Sequence, residues 1–150
     1  MRLRVRLAAV LSVTALSTAG VAALPSVTAH DVARAAACQS QHNSVHVTLS
    51  TSKYPQTTDH ISDAIAAGQP SLLHIDRADE DAHRAASLAG YPPRSGFDRD
   101  EYSPAMSAEG GAGADVRYID PSDNRGAGAT MGNALEGWCE GQPFRIDIVP

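Results

Sequence analysis

Apolar and polar residues alternate through Val45-His46-Val47-Thr48-Leu49-Ser50 and again through the FRIDIV segment at 144–149. That is the period of two of a half-buried strand. Between these segments the period lengthens. Ile61, Ala64 and Ile65 recur at helical spacing inside TTDHISDAIAAG, with Thr58 or Asp59 placed to cap the helix and Gly68 to stop it. Pro70 opens SLLHID, a short apolar run that predicts a buried segment. ADEDAHRAASLAG predicts a second helix with Asp79, Glu80 and Asp81 in its first turn, Arg84 later and Gly90 closing it. Acids are favoured there by the helix dipole alone, so the cluster reads as a solvated helix start rather than a metal site. YPPRSG is a connector, FDRDEYSPAM a strand, AEGGAGA a glycine-rich turn and DVRYID a second strand. Pro121 and Ser122 interrupt the pattern before NRGAGATMGNALEGW, a helix weakened by its glycines and capped by Ser122 or Asp123. The class is α+β in a small single domain, and the stretch 97–138 runs strand, strand, helix.

Residues 1–29 fall outside this fold. MRLRVR followed by an apolar run from Leu7 to Leu24 is the basic-then-apolar order of a secretory signal peptide, with cleavage after Ala29 or, further on, after Ala37. Ser12, Thr14, Ser17, Thr18 and Gly20 lower the run's hydropathy below that of a retained anchor, so a secreted, extracellular protein without stable membrane association is expected. Residues 30–53 form a lead-in and the first strand, and 54–150 the main domain. Secretion also bears on the two cysteines, Cys38 and Cys139: an oxidising compartment favours a bridge between them, two free thiols being the alternative.

Charge narrows the partners. The chain carries 12 Lys+Arg against 17 Asp+Glu, and loss of Arg2, Arg4 and Arg6 with the signal leaves 9 against 17, net −8. A broad basic face for nucleic acid is excluded, so any such contact must be local. Lysine is reduced to Lys53, and forked arginines, among them Arg84, Arg94, Arg99, Arg117 and Arg125, supply the donors suited to phosphate.

Two polar groups could carry chemistry. On a strand, Asp98 and Asp100 point one way and Arg99 and Glu101 the other, so two carboxylates share a face and could hold a hard cation. The same charges also suit a solvated edge strand. Asp123, Asn124 and Arg125 open the last helix, where Asp and Asn oxygens are hard ligands and the helix end favours phosphate, or where they simply cap. A hairpin followed by a helix can bring the two groups against one ion.

These segments, IDR at 75–77, GFDRDEYSPAM at 96–106, EGGAGADVRYIDPSDNRGAG at 109–128 and GN at 132–133, resemble the NucA/NucB family of secreted bacterial deoxyribonucleases from about Tyr54 to the C-terminus. The resemblance implies a reduced ββα-metal nuclease motif and a non-specific DNA endonuclease that hydrolyses phosphodiester bonds with one divalent cation, Mg²⁺ or Mn²⁺. It places Asp100 where related nucleases carry a histidine base, and Asn124 at the metal-binding asparagine of the helix. Asp98 and Asp100 join Asn124 as metal ligands. Arg99 or Arg125 steadies transition-state charge, and Glu101 and Glu109 match acidic positions whose roles as ligand, orienter or proton donor stay open. Glu136, near the end of that helix, reads as structural. Where family members often carry cysteines this chain has His74 and Ser107, consistent with one bridge lost.

The histidines form no zinc-like set, and His60 and His83 read as surface or internally satisfied residues. No G-x-S-x-G elbow is present. DNA is the expected partner, through its phosphate backbone, with an inhibitor protein as a further one, and a monomer is expected. The competing readings are a non-catalytic secreted module that binds DNA or a cation, and a nuclease toxin.

Overall fold

A computed structural model describes residues 38–150; the signal-peptide reading of residues 1–29 lies outside them. The alternating segments form strands where their pattern places them, β1 at Val45–Ser50 and β5 at Pro143–Val149. They lie side by side in parallel, Val47 opposite Ile146, and β2 (Leu73–His74) adds antiparallel to the other edge of β5. Parallel neighbours require a long crossover. Here nearly the whole domain is that crossover, so β5 closes the fold at the centre of the sheet.

The inward positions of this sheet, Val47, Leu49, Leu73 and Phe144, are fully buried. Each contributes about 1.5–3 kcal/mol of hydrophobic stabilisation. They pack with Ile61 and Ala64 of α1 (Pro55–Ala66) and Ala127, Met131 and Leu135 of α3 (Pro121–Leu135). Close approach of α3 to Tyr54 depends on Gly126, where an added Cβ would stand 2.6 Å from the tyrosine ring. The Tyr54 hydroxyl is held by Thr130 of the same helix, 2.8 Å away. Cys38 and Cys139 form a disulfide across 101 residues, flanked by the bonds Gln39 N to Gly137 O and Cys139 N to Gln39 O, which fasten the lead-in to the loop before β5.

The second sheet is the expected hairpin, β3 (Asp98–Tyr102) antiparallel to β4 (Asp115–Ile119). β3 is shorter than the sequence suggests, because the chain turns at Pro104 rather than continuing to Met106. The helix α2 (Glu80–Ser87) precedes it, also shorter than its predicted span of 78–90.

Two caps differ from the sequence reading. α3 starts one residue after β4, with Pro121 in its first turn and Asp120, not Ser122 or Asp123, as cap. The Asp120 carboxylate accepts from Ser122 N at 2.8 Å and Asp123 N at 3.3 Å. Proline fits at a first helical position because its missing N–H has no partner there in any case. That frees Asp123, whose two oxygens accept from Gln56 N and Thr57 N at 2.9 and 3.0 Å. α1 therefore begins at Pro55, capped from another helix. Thr58 and Asp59, the local candidates, do not cap it, and the Thr58 hydroxyl donates back to Tyr54 O.

Candidate functional site

The hairpin and the start of α3 meet along a cleft of about 260 Å³ lined by Arg99, Asp100 and Glu101 of β3, Asn124, Gly128 and Met131 of α3, Glu80 and Arg84 of α2, and Pro104 to Met106. Members of both groups singled out in the sequence, Arg99, Asp100 and Glu101 from the strand and Asn124 from the helix, thus line one space.

Asp100 is buried, and its Oδ2 accepts a 2.7 Å hydrogen bond from Nδ1 of His60 on α1. The other ring nitrogen, Nε2, donates to Oδ1 of Asp115 on β4 at 2.9 Å. His60 is 0 % exposed and so joins the helix to both strands of the hairpin. Burial of the ring opposes its charged form, but the bond and charge of Asp100 and the bond to Asp115 outweigh it and hold the His60 pKa above the usual histidine value. Burial pushes the Asp100 carboxyl up as well, and His60 restrains that rise.

Glu101 stands differently. Its side chain is 4 % exposed, and neither carboxylate oxygen has a hydrogen-bond partner. The nearest cation is Arg84, Nη1 to Oε1 at 3.6 Å. Burial raises its pKa, offset in part by the nearby Ser87 hydroxyl, whose own hydrogen bond goes to Arg84 O at 3.1 Å, and by the charge of Arg84. A buried carboxylate without donors costs on the order of 1–3 kcal/mol or more.

The remaining sequence candidates are placed as follows. Asp98 is gripped by Arg125 through two parallel bonds, Nε to Oδ2 at 2.7 Å and Nη2 to Oδ1 at 2.9 Å. This forked pair holds the Asp98 pKa below the usual carboxylate range and occupies both oxygens. Arg99 donates from Nη1 to Tyr91 O at 2.8 Å while lining the cleft. Glu109 is not among the cleft residues. It accepts from His74 N and Nδ1 at 2.9 and 2.7 Å, a clasp at the point where Ile75 bridges to Ser107. The two positions where the family resemblance implies a lost bridge are therefore neighbours, and His74, one of them, is hydrogen-bonded to Glu109. Glu136 ends α3 as its C-terminal cap residue.

The chain is similar to the DNA-entry nuclease of Bacillus subtilis (strain 168), at 44% identity over 96 residues. The matched stretch is NucA/NucB-like. It covers 64% of this chain and 65% of the relative, so the chain spans just under two thirds of the relative's length. No protein-family profile matches the chain.

Within the NucA/NucB-like domain the sequence reading missed His60 and Asp115. A signal for His60 existed: Thr57, His60, Ile61 and Ala64 recur at helical spacing and all are buried, so the histidine lies on the inward stripe of α1. Nothing local marked Asp115. It pairs with Tyr102 across the hairpin, which brings it near Asp100 only once the strands are in register.

Whether the cleft suits a divalent cation can be judged from its donors. Glu101 is an acceptor lacking a donor, and Asn124 and Asp100 bring further hard oxygens to the same space. Among the described residues no three His, Cys, Asp or Glu side chains are grouped as a metal cage. Mg²⁺ needs none, since it is typically held by one or two carboxylates with water and substrate phosphate completing its shell. The residues fit such an ion.

Proposed function

We propose that the protein is a secreted, metal-dependent deoxyribonuclease that hydrolyses phosphodiester bonds of DNA without sequence preference, using the cleft between β3 and α3. The observation that carries this reading is that Glu101, whose buried carboxylate oxygens lack hydrogen-bond partners, lines the same cleft as Asn124 and Asp100. The relative's name, DNA-entry nuclease, supports the choice of DNA. The disulfide supports an extracellular setting, and no helix among the described residues is long and apolar enough to cross a membrane.

In this reading Glu101, Asn124 and Asp100 would hold the ion, and Mg²⁺ or Mn²⁺ would supply charge neutralisation at the scissile phosphate. Asp100 takes the proton from the attacking water as the new P–O bond forms, and the bond to the leaving sugar oxygen breaks with that oxygen taking a proton from solvent water. His60 fixes the orientation of Asp100 from behind, and Asp115 fixes the ring. Arg99, at the cleft wall, donates to the phosphate oxygens. Asp98 and Arg125 brace the start of α3 against β3, which keeps Asn124 in place; neither needs to touch the substrate. Glu109 acts only through the loop it clasps. The net acidic character of the mature chain leaves capture of DNA to these local arginines and the ion.

The test is cleavage of supercoiled plasmid by the mature protein in Mg²⁺ or Mn²⁺, with and without chelator. Nicking that needs the ion is expected. Asp100→Ala and Asn124→Ala should each reduce it by a factor of about 10² or more, the scale of removing a positioned catalytic group, while far-UV circular dichroism stays unchanged. Ion-independent nicking, or full activity in both variants, contradicts the proposal.

A further inference from the structure

Beside the cleft lies a second recess of about 320 Å³ that shares Arg84, Arg99, Glu101 and Asn124 with it. Its far wall is apolar: Leu88, Pro93 and Phe97. Phe97 is 52 % exposed, and with Tyr91 it makes up two of the four exposed large hydrophobic residues among those described. Phe97, the more exposed of the two, lies on the recess with Leu88 and Pro93, so its ring forms part of an apolar surface beside the cleft.

The loop that presents Phe97 is tied down. Arg99 Nη1 donates to Tyr91 O at 2.8 Å, the Tyr118 hydroxyl donates to Pro92 O at 2.6 Å, and the Arg94 guanidinium lies 3.8 Å from the centre of the Tyr118 ring. Phe97 N closes the turn onto Arg94 O at 3.2 Å, with Gly96 taking the positive φ of 82° that the turn demands. Two consecutive prolines stiffen the same stretch. The ring is thus exposed on a loop whose backbone is braced at several points.

We propose that this recess is a subsite for an unpaired nucleobase of the nucleotide next to the scissile phosphate, stacked on Phe97, so that the enzyme acts on DNA that is locally single-stranded. This rests on the nuclease reading above. A phosphate held near Glu101 and Asn124 explains the arginines but gives no work to Leu88, Pro93 and Phe97. A nucleobase does, since every base offers a flat π-face and aromatic stacking on single strands is indifferent to sequence. In an intact duplex that face is covered by the neighbouring base pair. The base must therefore leave the stack to reach Phe97, which costs least in single strands, frayed ends and nicked or damaged sites.

The test is fluorescence anisotropy of labelled oligonucleotides bound to the Asp100→Asn protein in Mg²⁺, so that binding is read without turnover. Phe97→Ala should weaken binding of a short single strand about tenfold, within the span typical of alanine at a base-stacking aromatic, and Phe97→Trp should restore it. A blunt duplex of equal length should change by less than about twofold on the same scale. A strand of abasic sugars should bind equally well with Phe97 in place and after Phe97→Ala, which isolates the ring-to-base interaction as a coupling. Equal single-strand affinity in Phe97→Ala, full restoration by Phe97→Leu, or an undiminished effect on the abasic strand overturns the subsite. Failure of the unsubstituted protein to cut DNA, with Phe97-dependent binding intact, would instead overturn the nuclease reading and leave the subsite standing.

Discussion

The two sheets of this small domain treat buried groups in opposite ways. In the β1-β5-β2 sheet the buried side chains are Val45, Val47, Leu49, Leu73 and Phe144, all apolar. Around the β3-β4 hairpin the apolar Tyr102 and Ile119 are joined by buried polar groups, Asp100, Glu101, Ser103 and, from α1, His60. Among the described residues, the buried side-chain atoms lacking a hydrogen-bond partner are both Glu101 oxygens and Ser103 Oγ in this second region, and Thr57 Oγ1 on α1. A protein gains nothing in stability from orphaned polar atoms. The three-stranded sheet and the disulfide therefore stabilise the fold, and the hairpin half gives up part of that stability to keep charged groups poised over a cleft.

The largest expected effect lies on the stabilising side. Replacing Cys38 and Cys139 by serine opens a loop closed across 101 residues and should cost about 4–5 kcal/mol in the chain-entropy treatment, read as a lower urea midpoint, with cutting per folded molecule preserved. Leu49→Ala, at a fully buried β1 position, should cost about 3 kcal/mol, again with activity per folded molecule retained. Loss of cutting out of proportion to unfolding in either variant would break the division between the halves.

On the other side the sign reverses. Glu101→Gln removes a buried carboxylate without donors and should stabilise the protein by about 1–2 kcal/mol at neutral pH while abolishing nicking. The pH dependence follows from the raised Glu101 pKa. A carboxyl whose folded pKa lies above its unfolded value adds stability that is complete below the unfolded value, about pH 4, and is lost as pH rises through the folded one. The advantage of Glu101→Gln should therefore shrink as pH falls from neutral toward that range. A constant difference across the range would show that the carboxylate is not strained. The smallest effect belongs to the joint between the regions: Asp120→Ala removes the α3 cap and should lower the urea midpoint slightly, with a modest loss of activity through Asn124.

Legibility in the sequence followed the range of the forces involved. β1 appears at the residues where alternation places it, and the hairpin and its following helix arise from local pattern and turn chemistry. The convergence of Asp100 and Asn124 on one cleft was readable from the order strand, strand, helix. What was not readable depends on contacts between distant segments. Asp123 caps a helix far upstream in the chain, β1 pairs in parallel with the last strand, and Arg125 claims the Asp98 oxygens that strand alternation had offered to an ion. His60 shows the boundary most clearly. Its place on the inward face of α1 was a local fact, but its two carboxylate partners come from different strands.

The central claim is that the unsatisfied hairpin half is completed by a divalent cation, and the melting temperature measured with and without Mn²⁺ tests it without reference to turnover. Binding to the folded state alone raises stability by mass action. The unsubstituted protein should melt at a higher temperature in Mn²⁺, and Glu101→Gln and Asn124→Ala should lose that increment while Glu109→Gln keeps it. An increment that is the same in all four proteins, or absent from the unsubstituted one, would contradict it.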